Sequence, residues 1–228
     1  MTSAAELWAY RARAEKRAAS LFTHLVSGLE AVGAHPRTLA LGRRAIHDER
    51  RHQHLCEELV RHFGGAPTEP DEAPIAAVDP TRESVLLEVV GMCCINETVS
   101  VAALAQMQQN TRNTPVHSTV TEILRDEVQH ARLGWSHLAY EATRRDLSGV
   151  AGRLQELVDA SIAGLEEESE GTEPASFLAA GGLCRDTRAS LFTETLERVV
   201  LPGLAAHGIP IGPILLPTPR LCARPHVC

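Results

Sequence analysis

Glu-x-x-His occurs twice in this chain, as Glu49-Arg50-Arg51-His52 and Glu127-Val128-Gln129-His130. On a helix, residues three apart share a face, so each pair can reach one cation together. With 22 glutamates and 11 histidines in 228 residues, about one copy is expected by chance, so a single copy carries no weight. Two copies, each following a helix-like segment with a lone glutamate (Glu15 and Glu97), carry much more. Glu15 lies 34 residues before Glu49, and Glu97 lies 30 before Glu127. Both distances suit a helix that folds back through one short turn. Four carboxylates and two imidazoles from four helices are donors suited to two ions of iron or manganese. Left without cations, four buried like charges would repel and raise one another's pKa.

The surroundings of each glutamate differ. Glu97 sits in VLLEVVGMCCINETVSVAALAQM, where the only other charge is Glu88. A carboxylate in so apolar a helix needs a partner. Glu127 is expected to share its buried face with Ile123, Leu124 and Ala131. Glu15, in RARAEKRAAS, fits a buried or a wetted face. Asp48 and Asp126 each precede a motif glutamate, where a carboxylate can accept the ring proton of the opposing helix's histidine and fix its tautomer. Arg51 is placed to pair with Asp126. A solvent-facing role for either aspartate stays open. His47 and His54 read as exposed or structural, and His24, His62 and His137 lack partner spacing. Tyr10 and Tyr140 read as packing residues, with a radical or hydrogen-bonding role near the site as the alternative.

These side chains need four rods. The first is expected over residues 4–33, with Ser3 and Glu6 as a capping box, Leu21, Leu25 and Leu29 as its buried stripe and Gly33 as its end. The second is expected over 37–63, ending at Gly64-Gly65. Residues 65–80, rich in Pro, Ala and acids, form a long connection. A third helix is expected to start after Asp79, with Pro80 in its first turn, and to run to about Asn110. The fourth is expected from a Thr119–Glu122 capping box to about 145. Hairpin, long crossover, hairpin is the connectivity of an all-α, ferritin-like four-helix bundle. The bundle should occupy 1–147. Residues 148–228 should add helices over 149–168, 174–181 and 187–207, the last behind an Asp186 cap. The tail GIPIGPILLPTPRLCARPHVC is too rich in proline for a regular helix but apolar enough to lie on the bundle.

Composition narrows the field. A net charge of −7 argues against a general nucleic-acid binder. No secretory signal and no unbroken apolar run of 18 residues is visible, so the expected setting is cytoplasmic with no membrane span. The six cysteines match neither a zinc knuckle nor a CxxC pair. They read as buried free thiols, with metal binding or a disulfide as the alternative for Cys222 and Cys228. Gly91, Ala102, Ala103 and Gly134 leave room for a pocket or for close helix packing.

Over residues 5–145 the set Glu15, DERRH (48–52), Glu97 and DEVQH (126–130) resembles the ferritin-like di-iron superfamily, which includes rubrerythrins, ferritins and bacterial di-iron oxygenases. The resemblance implies that Glu15, Glu49, His52, Glu97, Glu127 and His130 bind two iron ions, with manganese as the other metal. Two of the glutamates would bridge the ions and two would cap them, and O2 would be a co-substrate. It implies a di-metal oxidoreductase that hydroxylates, N-oxygenates or desaturates a small organic substrate. The alternatives are a ferroxidase, peroxidase or manganese catalase-like protective protein, and a tRNA hydroxylase using a basic patch around Arg43, Arg44, Arg50 and Arg51. A separate electron-donor protein is implied, because no flavin or iron–sulfur motif is visible, and a homodimer is common for such bundles. Two departures stand out. Gln129 replaces an arginine frequent in oxygenases, so the Asp–Arg bridge is expected on one side only. Ser100 replaces the extra glutamate of rubrerythrins.

Overall fold

The computed structural model describes residues 4–67, 80–166 and 175–216. Among these residues every regular element is helical. Helices α1 (Ala4–Ala31) and α2 (Pro36–His62) form the first hairpin. The third rod is compound: α3 (Arg82–Val89), a π-helical segment Val90–Asn96 and α4 (Glu97–Asn110), and α5 (Thr114–Ala142) returns along it. The α2–α5 and α1–α3 contacts join the two hairpins. With its long α2–α3 crossover this is a ferritin-like four-helix bundle carrying extra C-terminal helices. These are a 3-10 turn Ser148–Arg153, α6 (Leu154–Glu166), α7 (Ala175–Ala179), α8 (Arg185–Thr195), a second π segment Leu196–Val200 and α9 (Leu201–Ala206).

Local chemistry sets the helix ends, and some differ from expectation. The His35 ring accepts from the Arg37 N–H at 3.1 Å, with Pro36 in the first turn of α2. Helix α5 begins at Thr114, because Asn113 accepts from the Val116 N–H at 3.1 Å and Pro115 is tolerated so near the start. Thr119 is therefore an interior, buried residue and not a cap. The third rod starts from a reciprocal Thr81–Ser84 cap; Asp79 and Ser3 lie outside the described residues. Cys184, not Asp186, holds the N-cap position of α8. The helix expected over 187–207 forms as one continuous run of α8, a π segment and α9, with an unanticipated π register in its middle. Gly33 and Gly64 end their helices with φ of 67° and 77°, a conformation that favours glycine.

Packing follows a layered order. One apolar layer contains Leu7, Trp8, Cys56, Leu59, Leu104, Val120 and Ile123. A second contains Phe22, Leu25, Leu29, Ala45, Val89, Cys93 and Leu133. Along each of the four rods the sequence between these layers holds the glutamates and histidines singled out above, so a polar layer is sandwiched between two apolar ones. The buried stripe of α1 runs through Ala12, Glu15, Ala19 and Phe22, whereas Leu21 is half-buried. Glu15 is thus on the core face, not the wet one. At Gly134 a Cβ would stand 2.6 Å from Cys93 Cβ, so this glycine serves close packing of α5 on the π segment rather than a pocket.

The C-terminal helices build a third apolar cluster on the bundle, including Ile95, Leu138, Val158, Phe192 and Leu204. Trp8 Nε1 donates to the Ala180 carbonyl at 3.2 Å, tying α1 to this extension. Ile209, Ile211, Ile214 and Leu216 pack against the same cluster, and Gln155 grips the Leu215 backbone at 2.8 and 3.2 Å. By length and composition Arg82–Asn110 is long and apolar enough to cross a membrane, unlike the expectation of no such segment. Half of that apolar stretch is buried inside the protein, as in a core rod. Cys56, Cys93 and Cys94 are buried free thiols and Cys184 is half-buried; Cys222 and Cys228 lie outside the described residues.

Candidate metal centre

Glu15, Glu49, His52, Glu97, Glu127 and His130 converge between the apolar layers, and all six are buried. Their donor atoms fall into two groups, Glu15/Glu49/His52/Glu127 and Glu49/Glu97/Glu127/His130, with the atoms of each group within 4.8 Å of one another. Glu49 and Glu127 belong to both. They can bridge two cations, while Glu15 and Glu97 each face one. Both histidines turn Nδ1 inward. His130 Nδ1 lies 2.9 Å from Glu49 and 3.3 Å from Glu127. His52 Nδ1 lies 3.5 Å from Glu127, 3.6 Å from Glu49 and 3.7 Å from Glu15.

The outer ring nitrogens cross over. His52 Nε2 is 3.5 Å from Asp126, and His130 Nε2 is 3.5 Å from Asp48. Asp126 thus hydrogen-bonds the His52 ring, the contact that fixes Nε2 as the protonated nitrogen and leaves Nδ1 to face a cation, whereas Asp48 stands in ion-pair range of His130 Nε2 without a hydrogen bond to it. Arg51 joins Asp126 in a short ion pair and reaches Asp48 at 3.4 Å. Arg44 adds contacts of 3.2 Å to Asp48 and 3.4 Å to Asp126. Both aspartates thus have arginine partners, and both arginines come from α2. Between the helices the bridge is one-sided, as Gln129 led us to expect: α2 arginines reach Asp126 of α5, and the arginines on Asp48 belong to its own helix. Arg44 was missed as a site residue, although its i,i+4 spacing to Asp48 was a readable signal.

The π segment was also missed. The Glu97 N–H bonds the Met92 carbonyl five residues back, the wide-turn register, so Glu97 immediately follows the bulge. A π turn inserts a residue and rotates everything after it relative to what came before, and such turns concentrate at functional sites. The unbroken apolar run from Val89 to Ile95, out of step with a 3.6-residue period, was the available hint. Phe22 closes the site from α1, packed edge-on against the His130 ring with the ring centroids 5.2 Å apart.

Electrostatics test whether cations fit. Burial and the Glu127 charge push Glu49 up to about 7. Burial, then the charge of Glu127, holds Glu97 well above the usual carboxylate range. Burial opposes ionisation of Glu127, but its contacts with Glu97, His130 and His52 outweigh that and hold it well below the usual range. At Glu15 burial is likewise outweighed, by His52 and Arg11, and the net shift is downward. Burial would lower both histidines, yet contacts with Glu127, Glu15 and Glu49 raise His52 to about 12. Contacts with Glu127 and Glu49 raise His130 to about 10. Protons thus compensate the carboxylates in the metal-free state. Compensation by protons is incomplete, since Glu49 Oε2, Glu127 Oε2 and both inward Nδ1 atoms lack hydrogen-bond partners. Inward, unsatisfied oxygen and nitrogen donors in two overlapping groups fit two divalent transition ions.

Comparisons with protein-family models, curated proteins and solved structures give no match to this chain. The likeness is carried by the geometry itself: an all-α bundle with two buried Glu/His clusters that share two glutamates. It matches a ferritin-like di-iron binding site. The other sequence candidates stand apart from these clusters. His47 and His54 are exposed, His24 faces Glu88 at 4.0 Å, and Tyr140 packs on the His35 ring at 5.3 Å. Tyr10 instead lines a cavity beside α1, as does Ala103; Ala102 does not, and Gly91 faces Leu157.

Proposed function

We propose that this chain is a di-metal oxidoreductase, a non-haem di-iron oxidase or oxygenase that uses O2 to hydroxylate, N-oxygenate or desaturate a small organic molecule. The observation that carries the reading is the pair of buried clusters sharing Glu49 and Glu127. In this reading Glu49 and Glu127 would be shared between the two ions, with Glu15 and His52 holding one and Glu97 and His130 the other. The bound metals would supply O2 activation and oxidising equivalents. The chain's own groups do the rest. Asp126 holds the His52 tautomer, Asp48 stands beside His130, and Arg44 and Arg51 hold the aspartates. Phe22 and the two apolar layers keep bulk water from the donors. The cavity along α1 and α4 offers space for an organic substrate, which a purely protective centre does not need. Electrons would come from a separate donor protein. The alternative of a tRNA-binding patch around Arg43, Arg44, Arg50 and Arg51 has less support, since Arg44 and Arg51 are drawn to the site aspartates and Arg43 pairs with Glu30.

The test is anaerobic loading with Fe(II) or Mn(II), followed by metal analysis and O2 uptake with a reductant. Two ions per chain are expected, falling below one in Glu49→Ala. A folded protein that binds neither metal refutes the centre. Rapid peroxide dismutation without reductant-dependent O2 uptake would reassign it to protection.

A further inference from the structure

Beside the metal centre lies a cavity of about 250 Å³, walled by α1, α4, α6 and the α7–α8 region. Ala14 and Asn96 in its lining are the chain neighbours of Glu15 and Glu97, so it adjoins the outer glutamates. Its body is apolar, with Met107, Phe177 and Phe192 among the lining side chains. That wall is firmly set. Phe177 and Phe192 are buried, and the Phe177 ring lies on Gly182 so closely that a Cβ there would stand 2.4 Å from it. The cations of the lining are already engaged: Arg11 pairs with Glu15 at 3.3 Å, and Arg188 also has a partner within the protein. Asn96 and Ser100 are neutral and uncommitted. Asn96 is exposed although Ile95 and Glu97 on either side of it are buried, because it lines the cavity. Its amide, like the Ser100 hydroxyl one turn further on, makes no hydrogen bond among the described residues.

Such a chamber selects an uncharged guest. A charge taken out of water needs a counter-charge, and both guanidiniums of the wall are occupied. An open amide offers a donor and an acceptor to a neutral hydroxyl or carboxamide. An apolar cavity of roughly 150 Å³ suffices for benzene, and sites for drug-sized ligands begin near roughly 300 Å³. The volume here lies between the two and suits one ring with a small substituent. Aromatic walls favour a ring through edge-to-face and offset contacts. We infer that this cavity is the substrate chamber of the proposed di-metal centre and takes a compact, uncharged, ring-sized molecule, its apolar body against Phe177 and Phe192 and its polar group paired with the Asn96 amide. This rests on the oxidoreductase reading for its purpose, but binding can be measured without turnover.

The experiment titrates full-length protein at pH 7 with benzyl alcohol, benzamide and toluene, and with the charged benzoate and benzylammonium. Calorimetry and the rise in Tm that binding to the folded state produces are the readouts. Selectivity is read on the metal-free form, where benzoate has no metal to bind, and metal uptake is measured separately on the same preparation. Benzyl alcohol and benzamide should bind, and the two ions at least about tenfold more weakly, because burying an unpaired charge costs more than the 1.4 kcal/mol of one power of ten. Asn96→Leu should weaken the alcohol and the amide by roughly two- to tenfold, the scale of one net hydrogen bond, and should not weaken toluene. Ala160→Trp, at an exposed position of the lining, should block every probe and keeps the test decisive if the Asn96 variant does not fold. Ions binding as tightly as neutral probes, no neutral probe binding, or benzyl alcohol affinity unchanged in either variant would overturn the inference. Neutral-probe binding without metal uptake would sink the di-metal reading alone; two bound metals with no preference for neutral probes would sink this inference alone.

Discussion

Metal loading should expel protons, and the structure fixes roughly how many. In the metal-free site at pH 7, His52 (about 12) and His130 (about 10) are protonated, Glu97 is neutral, and Glu49 (about 7) is about half protonated. Glu15 and Glu127 are already ionised. Ligation requires neutral imidazoles and ionised carboxylates. Filling both positions therefore releases about three to four protons per chain near pH 7. The same number sets the pH slope of the overall two-metal binding constant. One pH unit down, from 7 to 6, should weaken it by about three to four powers of ten. Mn(II) is a suitable probe because it can be loaded without redox chemistry. Calorimetry in two buffers of different ionisation enthalpy, or titration in weak buffer with a pH-stat, reads the release directly. Release of fewer than one proton, or uptake independent of pH, would refute the account in which protons stand in for the cations. Glu49→Gln should lower the released number by about half a proton at pH 7, besides weakening uptake.

Other outcomes follow from the same geometry. Metal-free protein should lose thermal stability between pH 6 and 9. The raised groups (His52, His130, Glu49 and Glu97) stabilise fully only below their unfolded values and lose that contribution as pH rises, while the lowered Glu15 and Glu127 contribute throughout this window. Scanning calorimetry of stripped and loaded protein checks this, and the loaded form should not show the decline. Asp126→Asn removes the negative charge and one of the two acceptor oxygens that His52, Arg51 and Arg44 share, and should cost about 10–100-fold in metal affinity in a chelator competition. Gly134→Ala forces a Cβ against Cys93 Cβ at 2.6 Å and Cys94 Sγ at 2.9 Å; urea unfolding should show a loss of about 1–3 kcal/mol. Trp8→Phe strands the buried Ala180 carbonyl and should cost about 1–3 kcal/mol by the same assay, loosening the extension first in hydrogen exchange.

The six converging side chains were legible in the sequence because helical geometry is local: Glu-x-x-His shares a face wherever a helix forms, and the hairpin spacing brings Glu15 and Glu97 alongside. Legible too were the crossover, the Asp126–Arg51 pair and the end of α1 at Gly33, each a short-range pattern. The tertiary structure decided the rest. Whether Glu15 was wet or buried depended on which stripe of α1 met the other three rods. The roles of Glu49 and Glu127 as shared donors depended on how α2 and α5 face each other. Arg44 joined the aspartates because those two helices pack closely enough for one guanidinium to reach across. The π turn before Glu97 depends on packing of the compound rod, for the wide turn is a poor choice for an isolated helix and needs neighbours to hold it. The cavity is the furthest from sequence: its walls come from residues as distant as Leu7 and Phe192. No local pattern records which of them meet, because long-range packing, not helix propensity, brings them together.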